Sequence, residues 1–512
     1  MSKRVYHRYV FRRKVVFFVS LAIIGGVCFV YGWWYFSQPA RVEITSAPGD
    51  ALIELAGVEQ ATGELVTTAP AGEYTLTVTR PGFAEHSESV ELKANKLFGK
   101  QINLKPNTYS FSLQSDPEGA DYEITLPDGS KRNGELPFVE SLSAGQMQVK
   151  LTLEGYQDLA REFFLDQDSD QIWRLDQPDQ LLLSQRTIGP VPSPKGVDFS
   201  PNGSEIWVTS LMNPKAGVFV FNAKTGEQIK SINLNDQGGV EVIFSPDGSK
   251  AYVSQMESGT IYEIDAENYE ILRELTTDST WCKVMEFSPD GNYLYVANWS
   301  GNNVSKIYLK SGEVELIPTV GTPRGLYATA DGRYLYVAGF DKGEIEKINL
   351  DDGSSEILLT TGGAMRHFVA DEDRNILFAS DMADNSIFKI DLTTDEVTKF
   401  ATTDNNPNTI ALTPDGKVLF VSNRGVNAAE SYYVPGPEWG SIQVFDTTTG
   451  EMLDAVVGGN QPTALAVSKD GRYLVYSNFL DADLELYEIP SYEELVTGDG
   501  GRSEVYKKEL IK

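Results

Sequence analysis

Apolar and polar positions between Leu181 and Ile489 fall into one phrase said seven times: a short apolar run, a turn built on Pro-Asp-Gly, then an aromatic-rich strand. The first three copies run Ser200-Pro201-Asn202-Gly203 into Ile206-Trp207-Val208, Ser245-Pro246-Asp247-Gly248 into Ala251-Tyr252-Val253, and Ser288-Pro289-Asp290-Gly291 into Leu294-Tyr295-Val296. Asp331-Gly332, the degenerate Asp373-Arg374, Asp415-Gly416 and Asp470-Gly471 lead into the other four. Gly removes the steric cost of positive φ in a tight turn and Pro presets the preceding dihedral, so each phrase joins two antiparallel strands. The copies are spaced by 41 to 45 residues, with one step of 55. A period near forty with four strand-like runs per copy predicts one four-stranded sheet per repeat. Such sheets bury their faces by stacking radially, which makes the region an all-β, seven-bladed β-propeller.

The third copy shows the whole unit: Val284–Phe287, Tyr293–Ala297, Val304–Leu309 and Val314–Pro318. The last copy supplies only three runs, Ala464–Val467, Tyr473–Ser477 and Leu484–Ile489, whereas Leu181–Ile188 precedes the first copy unpartnered. Unpaired edges are a liability, so 181–188 is expected to complete the last sheet. The competitor for that edge is the alternating stretch Ser503–Leu510. The phrase Leu294-Tyr295-Val296-Ala297-Asn298 and its relatives resemble the YVTN-type repeat of seven-bladed propellers, over a domain at 181–490 followed by a tail at 491–512. The resemblance implies the fold; propellers of this type host enzymes, cofactor domains and binding modules, so it leaves function open.

Residues 41–176 carry an older-looking repeat of two units. Ser46-Ala47-Pro48-Gly49-Asp50-Ala51 returns as Ser115-Asp116-Pro117-Glu118-Gly119-Ala120, and Ala71-Gly72-Glu73-Tyr74 returns as Ala144-Gly145-Gln146-Met147. Period-two alternation at Tyr74, Leu76 and Val78, and at Met147, Val149, Leu151 and Leu153, predicts two small β-sandwiches. Both resemble PEGA domains, at 41–105 and 106–176, and Pro117-Glu118-Gly119-Ala120 carries the signature literally. That family is typical of bacterial and archaeal surface or envelope proteins. The resemblance implies a stalk that holds the propeller off a membrane, or a binding role of its own. Units this small have marginal cores and are expected to pack on each other or on the propeller.

Residues 1–14 hold six basic residues and no acid, and Val15–Phe36 has no formal charge. A helix rising 1.5 Å per residue spans the roughly 30 Å apolar core of a bilayer with such a run. One transmembrane helix at 15–36 is therefore expected, with the basic tail in the cytoplasm and the bulk of the chain outside. The alternative is a cleaved signal peptide, against which stand the length of the run and Gln38, a poor residue three before a cut after Ala40. A lipoprotein signal at Cys28 fits less well. Cys282 is the other cysteine, so the ectodomain has no intrachain disulfide, and Cys282 is expected as a small buried hydrophobe. A net charge of −30 gives no nucleic-acid footprint.

Asp166, Asp168 and Asp170 alternate as calcium ligands do, but Gln171 and Gln177 stand where an EF-type loop needs Gly and a bidentate Glu, so no metal is expected. Aligning the copies on their turns gives a column at the head of the first strand: Lys195, Val240, Lys283, Arg324, Arg366, Asn408, Thr463. Four of the seven are cationic at one mouth of the central channel, a composition suited to an anionic ligand. The plainer alternative pairs them with Glu241, Glu286 and Asp381. His367 is the one propeller histidine, too few for most haem or catalytic zinc sites, and no cofactor is expected. A lactonase-like hydrolase or lyase would use Glu241, Arg324, Arg366 and His367. A second column follows the second strand: Leu211, Met256, Trp299, Phe340, Met382, Arg424, Phe479. On the same face falls the stretched step 424–440, with Tyr432, Tyr433, Pro435, Pro437 and Trp439. Aromatic loops on a rigid scaffold are where binding commonly lives; the alternative is that the column packs between blades. The expectation is a non-enzymatic, membrane-anchored envelope protein. Its propeller binds a surface protein, a cell-wall component or a ligand through Lys195, Lys283, Arg324, Arg366, Trp299, Phe340, Met382, Phe479, Tyr432, Tyr433 and Trp439.

Overall fold

A computed structural model describes residues 19–512 apart from 29, 31, 33, 36, 37, 214 and 499–501. Residues 19–28 are helical and exposed. Among the described residues no helix is long and apolar enough to cross a membrane. Residues 15–18, 29, 31, 33 and 36 of the expected anchor at 15–36, and the basic tail 1–14, lie outside the described residues. From Ala40 on the chain is nearly all strand and divides into two compact units, 1–154 with 158–171, and 155–157 with 172–512.

The first unit is one design built twice. Strands Glu64–Ala69, Ala40–Ala47 and Leu97–Asn103 form a three-stranded sheet, and Glu59–Thr62, Leu52–Leu55, Gly72–Thr79 and His86–Leu92 a four-stranded one. The second copy repeats both strand orders, with Phe138–Ser143, Thr108–Asp116 and Ser169–Arg174, and with Lys131–Glu135, Asp121–Thr125, Gly145–Thr152 and Leu159–Leu165. Alternation drives each sandwich: Val42, Ile44, Ile53, Leu55, Leu76 and Val78 are fully buried in the first, and Phe111, Leu113, Ile124, Met147 and Leu151 in the second. The two copies touch, as small cores require. The Arg80 guanidinium, paired with Asp50 at 2.6 Å, lies over Phe83 at 4.9 Å and over Phe164 of the second copy at 4.3 Å. Asp168 accepts the Ser110 amide at 2.8 Å.

Among the described residues the second unit holds seven four-stranded antiparallel sheets. Their first strands are Pro194–Phe199, Glu241–Phe244, Cys282–Phe287, Pro323–Ala328, Met365–Asp371, Pro407–Leu412 and Pro462–Val467. Each lies against the first strand of the next sheet, and the seventh lies against the first. The turn phrase acts as the sequence implies. In Ser245-Pro246-Asp247-Gly248 the Ser245 hydroxyl donates to Asp247 at 2.6 Å, Asp247 accepts the Ser249 amide at 3.0 Å, and Gly248 takes φ +74°. In the degenerate fifth copy Asn375 supplies the positive φ instead.

Leu183–Ile188 pairs antiparallel with Asp483–Glu488 and completes the last sheet, as expected. The competing stretch is not a strand: Arg502–Glu509 is a helix, preceded by a helix at Tyr492–Thr497 that Ser491 and Glu494 cap reciprocally. Residues 172–176, expected in the second PEGA-like unit, fall with 177–180 in the second compact unit. Arg174 reaches Glu485 at 2.8 Å, and this buried carboxylate also accepts from Tyr476, Asn478 and Tyr487 at 2.8 to 2.9 Å. Cys282 is fully buried, its Sγ 2.8 Å from the Gln255 carbonyl, and burial pushes its thiol up to about 12.

Candidate binding site at the head of the first strands

The backbone prepares this site the same way in most sheets. Ser193, Trp281, Thr322, Asn406 and Gln461 each take a left-handed φ of 50° to 62°, two residues before a member of the first column. Their carbonyls accept the amide of the residue that follows the second strand: Leu211, Trp299, Phe340, Arg424 and Phe479. Pairing then slips by a bulge, between Pro194 and Val197, Cys282 and Met285, Pro323 and Leu326, Pro407 and Ile410, and Pro462 and Leu465. A bulge re-aims the side chain it contains, and here it contains Lys195, Lys283, Arg324, Asn408 or Thr463. Hydroxyls on the second strands hold the same positions from the sheet before. Ser254 donates to the Lys283 carbonyl at 2.8 Å, Ser380 to Asn408 at 2.8 Å, and Ser422 to Thr463 at 3.1 Å. Close approach also selects Gly325, where a Cβ would lie 2.9 Å from the Arg366 carbonyl oxygen.

The two columns form one surface. Lys195 lies over the Phe479 ring at 5.2 Å, Lys283 over Trp281 and Trp299 at 5.5 and 5.4 Å, and Arg324 over Trp299 at 5.5 Å. Trp299 in turn packs on Phe340 at 4.7 Å. Arg366 reaches the Met382 sulfur at 3.8 Å and donates through Nε to Asn408 Oδ1. The 424–440 insertion folds onto the same mouth. Arg424 lies 5.8 Å from the Tyr432 ring and donates to Gln461, whose amide donates to the Tyr432 carbonyl at 2.7 Å. The Tyr432 and Tyr433 rings lie 4.0 Å apart, tilted by 35°, and Tyr433 lies 6.1 Å from Phe479. Trp281, Tyr432 and Tyr433 form the exposed rim at 43 to 45 % exposure, Trp299 and Phe340 are half-buried, and Arg324, Arg366 and Arg424 lie beneath at 5 to 8 %.

Of the acids in the plainer account, Glu241 acts on the cations, and it does so without a close ion pair. Among the described residues no carboxylate lies within ion-pair distance of Lys195, Lys283, Arg324, Arg366 or Arg424. Asp381 is spent on the Ala364, Ala383 and Asp384 amides at 2.7 to 3.1 Å. Glu286 is pushed up to about 8 by burial, with Glu372 adding to the rise. Glu241 alone is felt by the cluster: burial raises it to about 7 against the pull of Arg324, Lys195 and Arg366. Burial first, and the neighbouring cations second, lower Lys283 to about 6 and hold Lys195 well below its usual value. His367 is pushed down to about 4 by burial and by Arg366 and Arg324, and its Nδ1 has no partner.

Two of the expected contact residues act from below, and one lies elsewhere. Met382 and Phe479 are buried at 8 and 2 % exposure, packed under Arg366 and Lys195 respectively. Trp439 donates its amide to the Leu510 carbonyl, packs with Ala455, Tyr506 and Leu510, and lies under the Lys512 ammonium at 4.4 Å. It holds the C-terminal helix rather than the mouth. Sequence reasoning passed over Trp281, Arg424, Asn408 and Gln461 as site residues. Arg424 had a signal, being the one cation in an otherwise apolar column; Trp281 had none, because a left-handed tryptophan is invisible until the backbone is known.

Comparison with known proteins adds the family context. Residues 244–431 match the family described as YNCE-like beta-propeller, 388–499 match Lactonase, 7-bladed beta-propeller, and 40–108 match PEGA domain. The chain therefore carries a β-propeller related to the YNCE-like and lactonase types, and a PEGA domain. It is 35% identical over 259 residues to Antigen Lp49 of Leptospira interrogans serogroup Icterohaemorrhagiae serovar copenhageni, across 49% of this chain and 57% of that protein. The match thus spans less than two thirds of that relative. A solved Kuenenia stuttgartiensis Hydrazine Synthase chain superposes with a TM-score of 0.50 at 18% identity, over 59% of this chain and 97% of that one. At that identity the likeness concerns the fold alone.

Proposed function

We propose that this chain is a surface or envelope binding protein. In this reading a closed seven-bladed propeller presents its cation-and-aromatic mouth to a partner or ligand, and two PEGA-type repeats at 41–105 and 106–176 hold it off a membrane. The N-terminal segment 15–36 is the anchor, with residues 41–512 outside the cytoplasm. The observation that carries the reading is the meeting of the two columns with the 424–440 insertion. Exposed aromatic rings over buried arginines are the composition of interface hot spots, where one truncation costs about 2 kcal/mol or more. A relative named as an antigen, and the repeated sheet order at 108–174, support the surface setting and the second PEGA-type repeat. The test has two arms. Antibodies against the propeller are expected to label intact cells, and the double variant Tyr432→Ala, Tyr433→Ala is expected to lose capture of the envelope component retained by the unaltered protein. Labelling only after cell rupture, or capture unchanged in the variant, overturns the reading.

One observation favours a second reading, a hydrolase or lyase of a small anion. Glu241, raised to about 7 among cations, has the basicity of a general base at neutral pH. His367, lowered to about 4, does not. Hydrolysis of anionic lactones that disappears in Glu241→Gln would favour the enzyme.

A further inference from the structure

Taking the mouth as the binding face, the geometry points to its occupant: we propose that Arg324, Arg366 and Arg424 hold a small organic anion bearing at least two carboxylate or phosphate groups. Three observations carry this. Among the described residues Arg324, Lys195 and Arg366 feel one carboxylate, Glu241, and none of them, nor Lys283 or Arg424, forms an ion pair. Buried charge without counter-charge is costly, so a site of this composition matches a ligand of more than one negative charge. The three most buried cations are all Arg, whose planar fork fits carboxylate or phosphate in a way that an ammonium does not.

The unmatched hydrogen-bonding atoms supply the second line. The Arg324 guanidinium makes no hydrogen bond among the described residues. Arg424 Nε is buried without a partner. So is Asn408 Nδ2, on a side chain 2 % exposed whose Oδ1 already accepts from Arg366, which fixes which end of the amide faces the site. These groups are donors, so the partner they fit is rich in acceptors. Buried polar groups in folded proteins are almost always matched, and unmatched donors from the Pro323–Ala328 and Pro407–Leu412 sheets at one mouth mark a ligand position. The third line is placement. The arginines are 5 to 8 % exposed while Trp281, Tyr432 and Tyr433 are 43 to 45 % exposed, so a bound anion would meet aromatic rings before the guanidinium groups.

The experiment is calorimetric titration of the full-length protein in detergent with citrate, inorganic phosphate and acetate, and with a glutamate-rich peptide as the competing class. Citrate is expected to bind, more weakly as salt is raised, and phosphate and acetate, each a single group, about tenfold and a hundredfold more weakly than citrate. Arg324→Gln and Arg424→Gln are each expected to weaken citrate by roughly tenfold or more. Lys230→Gln, on the exposed fourth strand Gln228–Ile232 of the first sheet, is expected to leave it unchanged. Two arginine variants are used so that a folding defect in one leaves the other decisive. No binding of citrate up to about 10 mM, phosphate binding as tightly as citrate, binding undiminished in both variants, or binding of the peptide alone overturns the proposal. If the anions fail while Tyr432→Ala, Tyr433→Ala still abolishes partner capture, the binding face stands and only the anion class falls.

Discussion

Replacing Arg324 by methionine should make the propeller more stable while it damages binding, the reverse of what loss of a buried contact does. Arg324 is 8 % exposed and makes no ion pair, and burial, opposed by Glu241 and helped by Arg424, lowers it from the usual 12.5 to about 10. That fall corresponds to roughly 3 kcal/mol by which the folded site disfavours the charge relative to water. Methionine keeps most of the length and none of the charge. It forfeits the stacking over Trp299 at 5.5 Å, worth about 0.5–2 kcal/mol. The balance is a gain of about 1–2 kcal/mol. The assay is urea unfolding of the propeller unit at low and high salt. Urea is chosen because guanidinium is itself a salt and would screen the repulsion being measured. The gain should shrink at high salt. A loss of about 1 kcal/mol or more, independent of salt, would mean that Arg324 is a satisfied structural cation, and would refute the reasoning that leads to an anion.

Three further outcomes are expected. Arg174→Ala leaves Glu485, 6 % exposed, without its cation and should destabilise the propeller unit by about 3–5 kcal/mol, with much of the loss recovered in the double variant Arg174→Met, Glu485→Gln; denaturant midpoints decide it, and a change within about 0.5 kcal/mol would count against it. Glu286 is raised from 4.5 to about 8, so the folded protein binds the extra proton between those values. Its stabilisation is full below pH 4.5 and lost as pH rises through 8, and Glu286→Gln should flatten the thermal midpoint across that window. At the mouth, Lys283 at about 6 and Glu241 at about 7 both gain protons as pH falls, so affinity for a disulfonate, whose charge is constant over this range, should rise from pH 8 to pH 5, and Lys283→Met should reduce the slope; an affinity flat in pH would count against the cluster.

Local chemistry explains why so much of the fold could be read from the chain. A Pro-Asp-Gly turn with its Ser or Thr cap closes within a few residues, and a period near forty repeats it, so the sheets, their order and the pairing of Leu183–Ile188 with Asp483–Glu488 follow from residues adjacent in sequence and from one unpaired edge. The first column was equally legible as a column. Its meaning was not. Whether Arg324 and Arg366 were neutralised by acids or left facing one another depended on bulges that rotate each side chain and on a ring that brings together residues from Lys195 to Phe479. Period two could not assign Ser503–Leu510 either, because an edge already taken by Leu183–Ile188 offers no hydrogen bonds, and a helix satisfies its own. Trp439 and Trp281 make the same point from opposite sides: one tryptophan joined the tail helix and the other joined the mouth, through contacts that form only when distant segments close on each other.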